Sequence, residues 1–320
     1  MTSWHRRQMK KKIGLIDVDG RGYPNLALMR ISAWHKSHGD EVEWWWSDLV
    51  HYNVVYMSKI FSDAYSPDIP APMNADKVFK GGTGYCISLD KNGRECYDSV
   101  RDHALPPGME RMFPDYSIYP EAGFAVSMTS RGCPRGCGFC HVAAKEGRRS
   151  VKVADVADFW AGQKEIKVLD PNITACSDKR DLMRQYVETG AWIDFTQGLD
   201  IRLLDEADID DLNNMKIKMV HFAWDDPRDD LADRFRLFAE RSRIKDYRRK
   251  TVYILTNYNS TMEDNLYRIE TVRDLGFSPY VMIYNKPAAP QEVRWLQRWC
   301  NNKWVFRTTP RFEDYDPKKA

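Results

Sequence analysis

Along the chain, short apolar runs alternate with longer stretches in which apolar residues return every three or four positions. The first eighty-odd residues show this once. "KIGLIDVD" (12–19) reads as a buried strand, and "YPNLALMRISAWHKSHG" (23–39) as an amphipathic helix with Pro24 in its first turn and Gly39 at its stop. "VEWWW" (42–46), its tryptophans read as strand core and interface, and "VVYMS" (54–58) follow as strands. "YCISLDKNGRECYDS" (85–99) reads as a hairpin turning at Asn92-Gly93. From residue 123 the alternation becomes regular. Strands are expected at "FAVSMTS" (124–130), "IKVLD" (166–170), "WIDFT" (192–196), "IKMVHFAW" (217–224), "TVYILT" (251–256) and "YVMIY" (280–284), with helical patterns such as 177–190 and 261–276 between them.

The pattern predicts an α/β protein. A small Rossmann-like unit spans 1–104, a Pro-rich connection 105–122, and six βα units with a short extension 123–320. Six parallel strands fall short of the eight that close a barrel, so the expectation is an open, partial (β/α)6 TIM-like barrel.

Composition adds boundaries. Of 320 residues, 43% are hydrophobic and 29% charged, which excludes a mainly disordered chain. No apolar run approaches the roughly 18 residues of a membrane span, and the basic start lacks a secretory apolar stretch, so the expected location is cytoplasmic, with reduced thiols. Net charge is +2, which implies no global attraction to nucleic acid. Two basic runs stand out, "HRRQMKKK" (5–12) and "RSRIKDYRRK" (241–250); each reads as a solvated surface or a nucleic-acid contact.

"SRGCPRGCGFCHV" (130–142) places three of seven cysteines within eight positions. A disulfide suits a reducing compartment poorly. Structural zinc wants two ligand pairs, and the other cysteines (86, 96, 176, 300) are scattered singly. "CGFCH" matches a haem-attachment string, which belongs to exported proteins. Three thiolates on a cubane iron–sulfur cluster leave one iron open, which suits catalysis. Gly136 and Gly138 let the loop wrap closely, and Phe139 can shield it from water.

Cys-x3-Cys-x2-Cys with an aromatic before the third cysteine, set after the first of six βα units, resembles the signature loop of the radical S-adenosylmethionine (radical SAM) superfamily, over roughly residues 116–290. "QGLDIRLLDEADIDDLNNM" (197–215), "VHFAWDDP" (220–227) and "YILTNYNSTMEDNLYRIETVRDLG" (253–276) are similar to the family's third, fourth and fifth strand ends. "LDPNITACSD" (169–178) stands where relatives often carry Gly-Gly-Glu.

The resemblance implies a 4Fe–4S cluster on Cys133, Cys137 and Cys140, with S-adenosylmethionine on its fourth iron. It also implies a one-electron donor such as flavodoxin or ferredoxin, and a substrate that the chain does not name. Asp170 and Asn172, in place of Gly-Gly-Glu, are candidate cofactor contacts. So are the strand-end residues Gln197, Asp200, Arg202, Asp225, Thr256 and Asn257, with Asp226 and Tyr284–Lys286 beside them. Cys176, on the same face, reads as a chance thiol, with a substrate contact, hydrogen donor or auxiliary ligand as its functional readings. The N-terminal unit resembles the domain that binds cobalamin in one subclass, but it is short and lacks Asp-x-His-x-x-Gly, so a degenerate structural remnant is the expectation and cobalamin binding the alternative. Gly81–Gly84 is a candidate cofactor or phosphate lining. Two further readings are a methyl- or methylthiotransferase acting on nucleic acid, and a non-catalytic iron–sulfur sensor or scaffold.

Overall fold

The computed structural model describes residues 10–91 and 95–318. The chain forms two compact units, Met1–Asp90 with Glu95–Gly123, and Lys91–Arg94 with Phe124–Ala320.

The first unit holds a four-stranded parallel sheet in the order β2-β1-β3-β4, made of β1 (Lys12–Asp17), β2 (Glu41–Trp44), β3 (Tyr52–Ser58) and β4 (Ala75–Gly81). β1 is buried on both faces, which is why its sequence is a continuous apolar run. Ile13 and Leu15 pack with Leu28 and Ile31 of helix α1 (Leu26–Ser37), and Ile16 packs with Tyr52, Val55 and Met57. The helix begins later than its proline suggested. Asn25 is the cap, its side chain accepting from Leu28 N at 3.2 Å, and Pro24 precedes the cap. β4 escaped the sequence reading because it is an edge strand with exposed positions at Asp76 and Lys77, so no apolar period marks it. Trp46, expected in the strand core, is 63% exposed beyond the end of β2.

Helix α2 (Thr83–Cys86) leads into an antiparallel hairpin of β5 (Ile87–Leu89) and β6 (Glu95–Tyr97). Its expected turn at Asn92-Gly93 lies outside the described residues. Residues 105–122 pack on this unit: Met109 of the short helix α3 (Pro107–Glu110) is buried in the β1–α1 core beside Leu105 and Ile118.

In the second unit, β7 (Ala125–Ser127), β10 (Glu165–Val168), β11 (Trp192–Phe195), β12 (Lys216–Ala223), β13 (Lys250–Thr256) and β14 (Ser278–Ile283) pair in chain order as one open parallel sheet. Four helices make the crossovers after β10, namely α5 (Lys179–Thr189), α6 (Glu206–Asn214), α7 (Ala232–Arg241) and α8 (Met262–Asp274). Helices α9 (Gln291–Asn301) and α10 (Lys303–Thr308) end the unit. Between β7 and β10 stand the short pair β8 (Ser130–Arg131) and β9 (Val151–Lys152), with α4 (Val142–Glu146) between them. No helix among the described residues is long and apolar enough to cross a membrane.

Ile166, Val168, Ile193, Phe195, Val220 and Phe222 alternate along their strands and are buried. The core around β12 is aromatic, with Phe222 making edge contacts to Phe235, Phe238 and Phe277. Among the described residues of this unit, two cations are buried, Lys250 and Arg268. Arg268 of α8 is fully buried and donates to the carbonyls of Trp224 (2.6 Å), Asp225 (3.0 Å) and Leu255 (3.0 Å) and to Asn265 Oδ1 (2.7 Å). It ties the C-terminal ends of β12 and β13 to α8, the helix that follows β13. Burial lowers its pKa to about 10, against the opposing charge of Asp225.

Replacing Arg268 by Met keeps the volume but strands those four acceptors, and each lost buried partner costs about 1–3 kcal/mol. Arg268→Met is therefore expected to lower the urea stability of the second unit by at least about 3 kcal/mol. A loss below about 1 kcal/mol in the circular-dichroism transition would show that the strand ends do not depend on this guanidinium.

Candidate functional site

The three clustered cysteines lie on an excursion of residues 132–150, closed at its base by the antiparallel pairing of Ser130 with Lys152 and Arg131 with Val151. Two glycines shape it. Gly132 has φ +88, and a Cβ there would lie 2.0 Å from the Arg149 carbonyl oxygen. Gly136 has φ +58, with Arg148 Nη1 2.6 Å from the place of a Cβ. Within the loop, Cys133 N donates to Gly147 O at 3.1 Å and Cys140 N to Cys137 O at 3.1 Å.

Asp170 fastens the start of this excursion. It follows β10, is 2% exposed, and accepts four hydrogen bonds. They come from Thr129 N (3.0 Å), Thr129 Oγ1 (2.7 Å), Ser130 N (2.5 Å) and Ser130 Oγ (2.7 Å). Those four donors fill the acceptor capacity of a carboxylate. Asp170, expected as a cofactor contact, is thus occupied in holding the loop.

Asn172 reaches the loop directly. Its Nδ2 donates to Cys133 Sγ at 3.5 Å, while its Oδ1 accepts from Thr174 Oγ1 at 2.8 Å. Thr174 Oγ1 in turn accepts from Asp200 N at 3.0 Å, joining the loops after β10 and β11. Asp200 accepts from Arg135 Nε (2.7 Å) within the cysteine loop and from Arg202 Nε (2.7 Å). Arg202 Nη1 continues to Asp229 Oδ2 at 2.6 Å. Burial pushes the Asp200 carboxyl up, but the hydrogen bonds from Arg202 and Arg135 outweigh it and hold its pKa below the ordinary carboxylate value. Arg135 carries no signal in the three-cysteine spacing, and its role emerged only from the fold.

Asp225, at the end of β12, is the exception. Its carboxylate has no hydrogen bond or ion pair among the described residues. Burial raises its pKa to about 6, against the charges of Arg202 and Arg268. Its field reaches the loop: burial raises the Cys137 thiol, Asp225 and Cys133 add to the rise, and Arg202 and Arg135 oppose it. Asp226 is held down to about 2 by hydrogen bonds from Arg228.

The remaining expected contacts divide. Gln197 is exposed, with no hydrogen-bond partner among the described residues. Thr256 is buried and donates from Oγ1 to Met282 O at 3.1 Å, and Asn257 Nδ2 donates to Tyr284 O at 2.8 Å; both fasten the ends of β13 and β14 together. Between them and the cysteines stands Tyr258, which the sequence reading passed over. Its ring is edge-on to Phe139 at 5.2 Å and to Tyr284 at 5.0 Å. The three rings wall the Cys140 side of the loop.

None of the seven cysteines is in a disulfide. Cys133 and Cys137 are half-buried, Cys140 is exposed, and Cys176 is buried. Among the described residues, no three His, Cys, Asp or Glu side chains gather closely enough to hold a single metal ion. A mononuclear zinc site holds every sulfur about 2.3 Å from one point, whereas a cluster spreads its cysteines over separate irons. The donors fit the second demand: three thiols on one loop, one already receiving an N–H from Asn172.

In the first unit, the glycine run 81–84 does not line a ligand space. A Cβ on Gly82 would lie 2.3 Å from Lys59 O, and one on Gly84 2.3 Å from Phe61 O, so the chain's own backbone fills the approach that these glycines permit.

No protein-family model matches the chain, and no curated protein matches it. Among solved structures it is similar to a radical S-adenosylmethionine methyltransferase, TsrM, from Kitasatospora setae, solved with its tryptophan substrate and a SAM analogue. The TM-score is 0.42 at 12% identity, covering 85% of this chain and 67% of that one.

Asp225 generates a pH test. With its folded pKa near 6 and an ordinary unfolded value of 3.8, the unfolded chain releases the proton first as pH rises. Between pH 4 and 6 the folded state binds more protons, so stability falls with rising pH in that window, by up to roughly 3 kcal/mol at about 1.4 kcal/mol per unit. Asp225→Asn should remove this fall and be more stable than the parent at pH 7. Parallel urea-stability profiles of the two proteins from pH 4 to 7 would refute the raised pKa.

Proposed function

We propose that the chain is a radical SAM enzyme that holds a 4Fe–4S cluster on Cys133, Cys137 and Cys140 and binds S-adenosylmethionine beside it. The observation that carries this reading is the clamped three-thiol loop at the C-terminal edge of six parallel strands paired in chain order, the edge where parallel α/β proteins bind ligands. The chemistry that such a cluster supplies when bound is one-electron cleavage of S-adenosylmethionine to methionine and a 5′-deoxyadenosyl radical, which takes a hydrogen atom from a substrate.

Each nearby side chain has a task in this reading. The Asn172 amide hydrogen-bonds the Cys133 sulfur and orients it. Arg135 and Arg202 favour the thiolate of Cys137, offsetting Asp225. Arg202 is engaged by Asp200 and Asp229, so its part is to position Asp200 and to supply positive charge. Asp225 is left with acceptor capacity; ionised above pH 6, it suits the ammonium or ribose hydroxyls of S-adenosylmethionine. Gln197 is unengaged and available to the same ligand. Phe139, Tyr258 and Tyr284 give the loop an aromatic border beside Cys140. The electron comes from a reduced carrier such as flavodoxin or ferredoxin.

Anaerobic reconstitution tests the reading. The protein should take up about four irons and four sulfides and release 5′-deoxyadenosine from S-adenosylmethionine under dithionite. Cys133→Ala, Cys137→Ala and Cys140→Ala should each abolish both, while Cys96→Ala and Cys300→Ala keep them. Asp225→Ala should keep the iron and weaken S-adenosylmethionine binding about tenfold or more. Full 5′-deoxyadenosine release by Cys133→Ala would end the ligand assignment.

A further inference from the structure

At the other edge of the large sheet, where β13 and β14 begin, lies a hollow of about 380 Å³, a size that suits a small ligand. Three cations line it, Arg273 from the end of α8 and Lys303 and Arg307 from α10, and no carboxylate does. Its walls are Tyr247, Phe277 and Phe306. Behind Phe277 sits a fourth cation. Lys250, the first residue of β13, is 3% exposed, and its ammonium lies 4.7 Å from the centroid of the Phe277 ring.

Arg273 is paired with Asp274, and the other three cations have no ion pair among the described residues. Lys250 has no hydrogen bond or ion pair among the described residues, and burial together with the charge of Lys245 lowers its pKa, against Asp246. Arg307 is exposed and likewise has no partner among the described residues. Lys303 donates to the Pro279 carbonyl at 2.7 Å, and Arg273 to the Pro310 carbonyl at 2.7 Å while its flank rests on Phe306 at 5.8 Å. Those bonds orient the two cations without cancelling them. Asp246 is turned to Arg248, from which it accepts at 2.8 Å, while Asp274 accepts from Arg273 Nε at 2.9 Å and offsets that one charge. Gathering three further positive groups around a hollow without a carboxylate partner, one of them buried, disfavours folding unless an anion is bound there.

We propose that this hollow is a second binding site, for a ligand carrying phosphate groups with two or more negative charges. Guanidinium groups and ammoniums matched to tetrahedral oxyanions give the charge, and Tyr247, the exposed ring of the three, gives a surface on which a planar group can stack. It also gives the basic run 241–250 a use. Tyr247 and Lys250 serve the hollow, whereas Arg248 is held by Asp246 and Arg249 stacks over Trp192 at 5.5 Å. The site stands apart from the cysteine loop, at the opposite ends of the strands, and does not depend on the cluster.

The test uses the full chain, without reconstitution, and three probes: pyrophosphate, ATP and a 12-nucleotide single-stranded RNA. Binding is measured by calorimetry or fluorescence anisotropy in low salt. The parent is compared with Lys303→Glu/Arg307→Glu and with Arg234→Glu/Arg236→Glu, a control with the same change of net charge on the exposed surface of α7. At least one probe should bind the parent and the control about tenfold or more tighter than the Lys303/Arg307 variant. Discrimination with pyrophosphate or ATP assigns a small phosphate ligand, and discrimination with RNA alone assigns a strand backbone. If no probe distinguishes the two double variants, because none binds or because both weaken equally, the proposal is overturned.

Discussion

The candidate site depends on one buried carboxylate. Asp170 takes four hydrogen bonds from the backbone and hydroxyls of Thr129 and Ser130, and so turns the chain off β7 into the cysteine loop. Burial raises its pKa, and the four donors oppose that rise without cancelling it. A carboxylate so desolvated is tolerable only because every acceptor position is used. That demand fixes the geometry of the loop's base: moving either residue by an ångström would leave charge unmet in the protein interior.

From that anchor, the loop is cross-linked outward by polar contacts of decreasing burial. Asn172 holds the first sulfur, Arg135 reaches Asp200, and Arg202 links Asp200 to Asp229. The network leaves one carboxylate out. Arg268 takes the backbone carbonyl of Asp225 but not its side chain. The side chain sits among desolvating neighbours with its acceptors unused. Its charge is felt at the Cys137 thiol, whereas the neighbouring carboxylates Asp200 and Asp226 are each paired with an arginine.

The two edges of the large sheet therefore differ in kind. At the C-terminal edge, carboxylates and arginines are nearly balanced around soft sulfur donors. At the N-terminal edge, beside β13 and β14, cations collect with no carboxylate in the lining. Parallel strands put the two edges on opposite sides of a rigid layer, so each can be charged to suit a different partner without disturbing the other.

Much of this was legible in the chain. The six strands of the large sheet announced themselves by apolar runs, and the three cysteines by spacing. Hydrophobic periodicity and ligand spacing are local properties, so local sequence determines them. β4 was not legible, because an edge strand with solvent-facing lysines carries no apolar period. The roles of the strand-end polar residues were not legible either. Asp170, Asp200, Asp225, Thr256 and Asn257 look alike in sequence, each a polar residue where an apolar run ends. Tertiary structure separates them: four donors converge on Asp170, two arginines on Asp200, neighbouring strand ends on Thr256 and Asn257, and nothing on Asp225. What a polar group does is set by the partners that reach it, and those partners arrive from 40 residues away in the case of Asp170 and from 65 in the case of Asp200 with Arg135. The sequence by itself determined the six strands of the large sheet and the close spacing of the three thiols; the packing of distant loops decided which of the polar groups around them are paired.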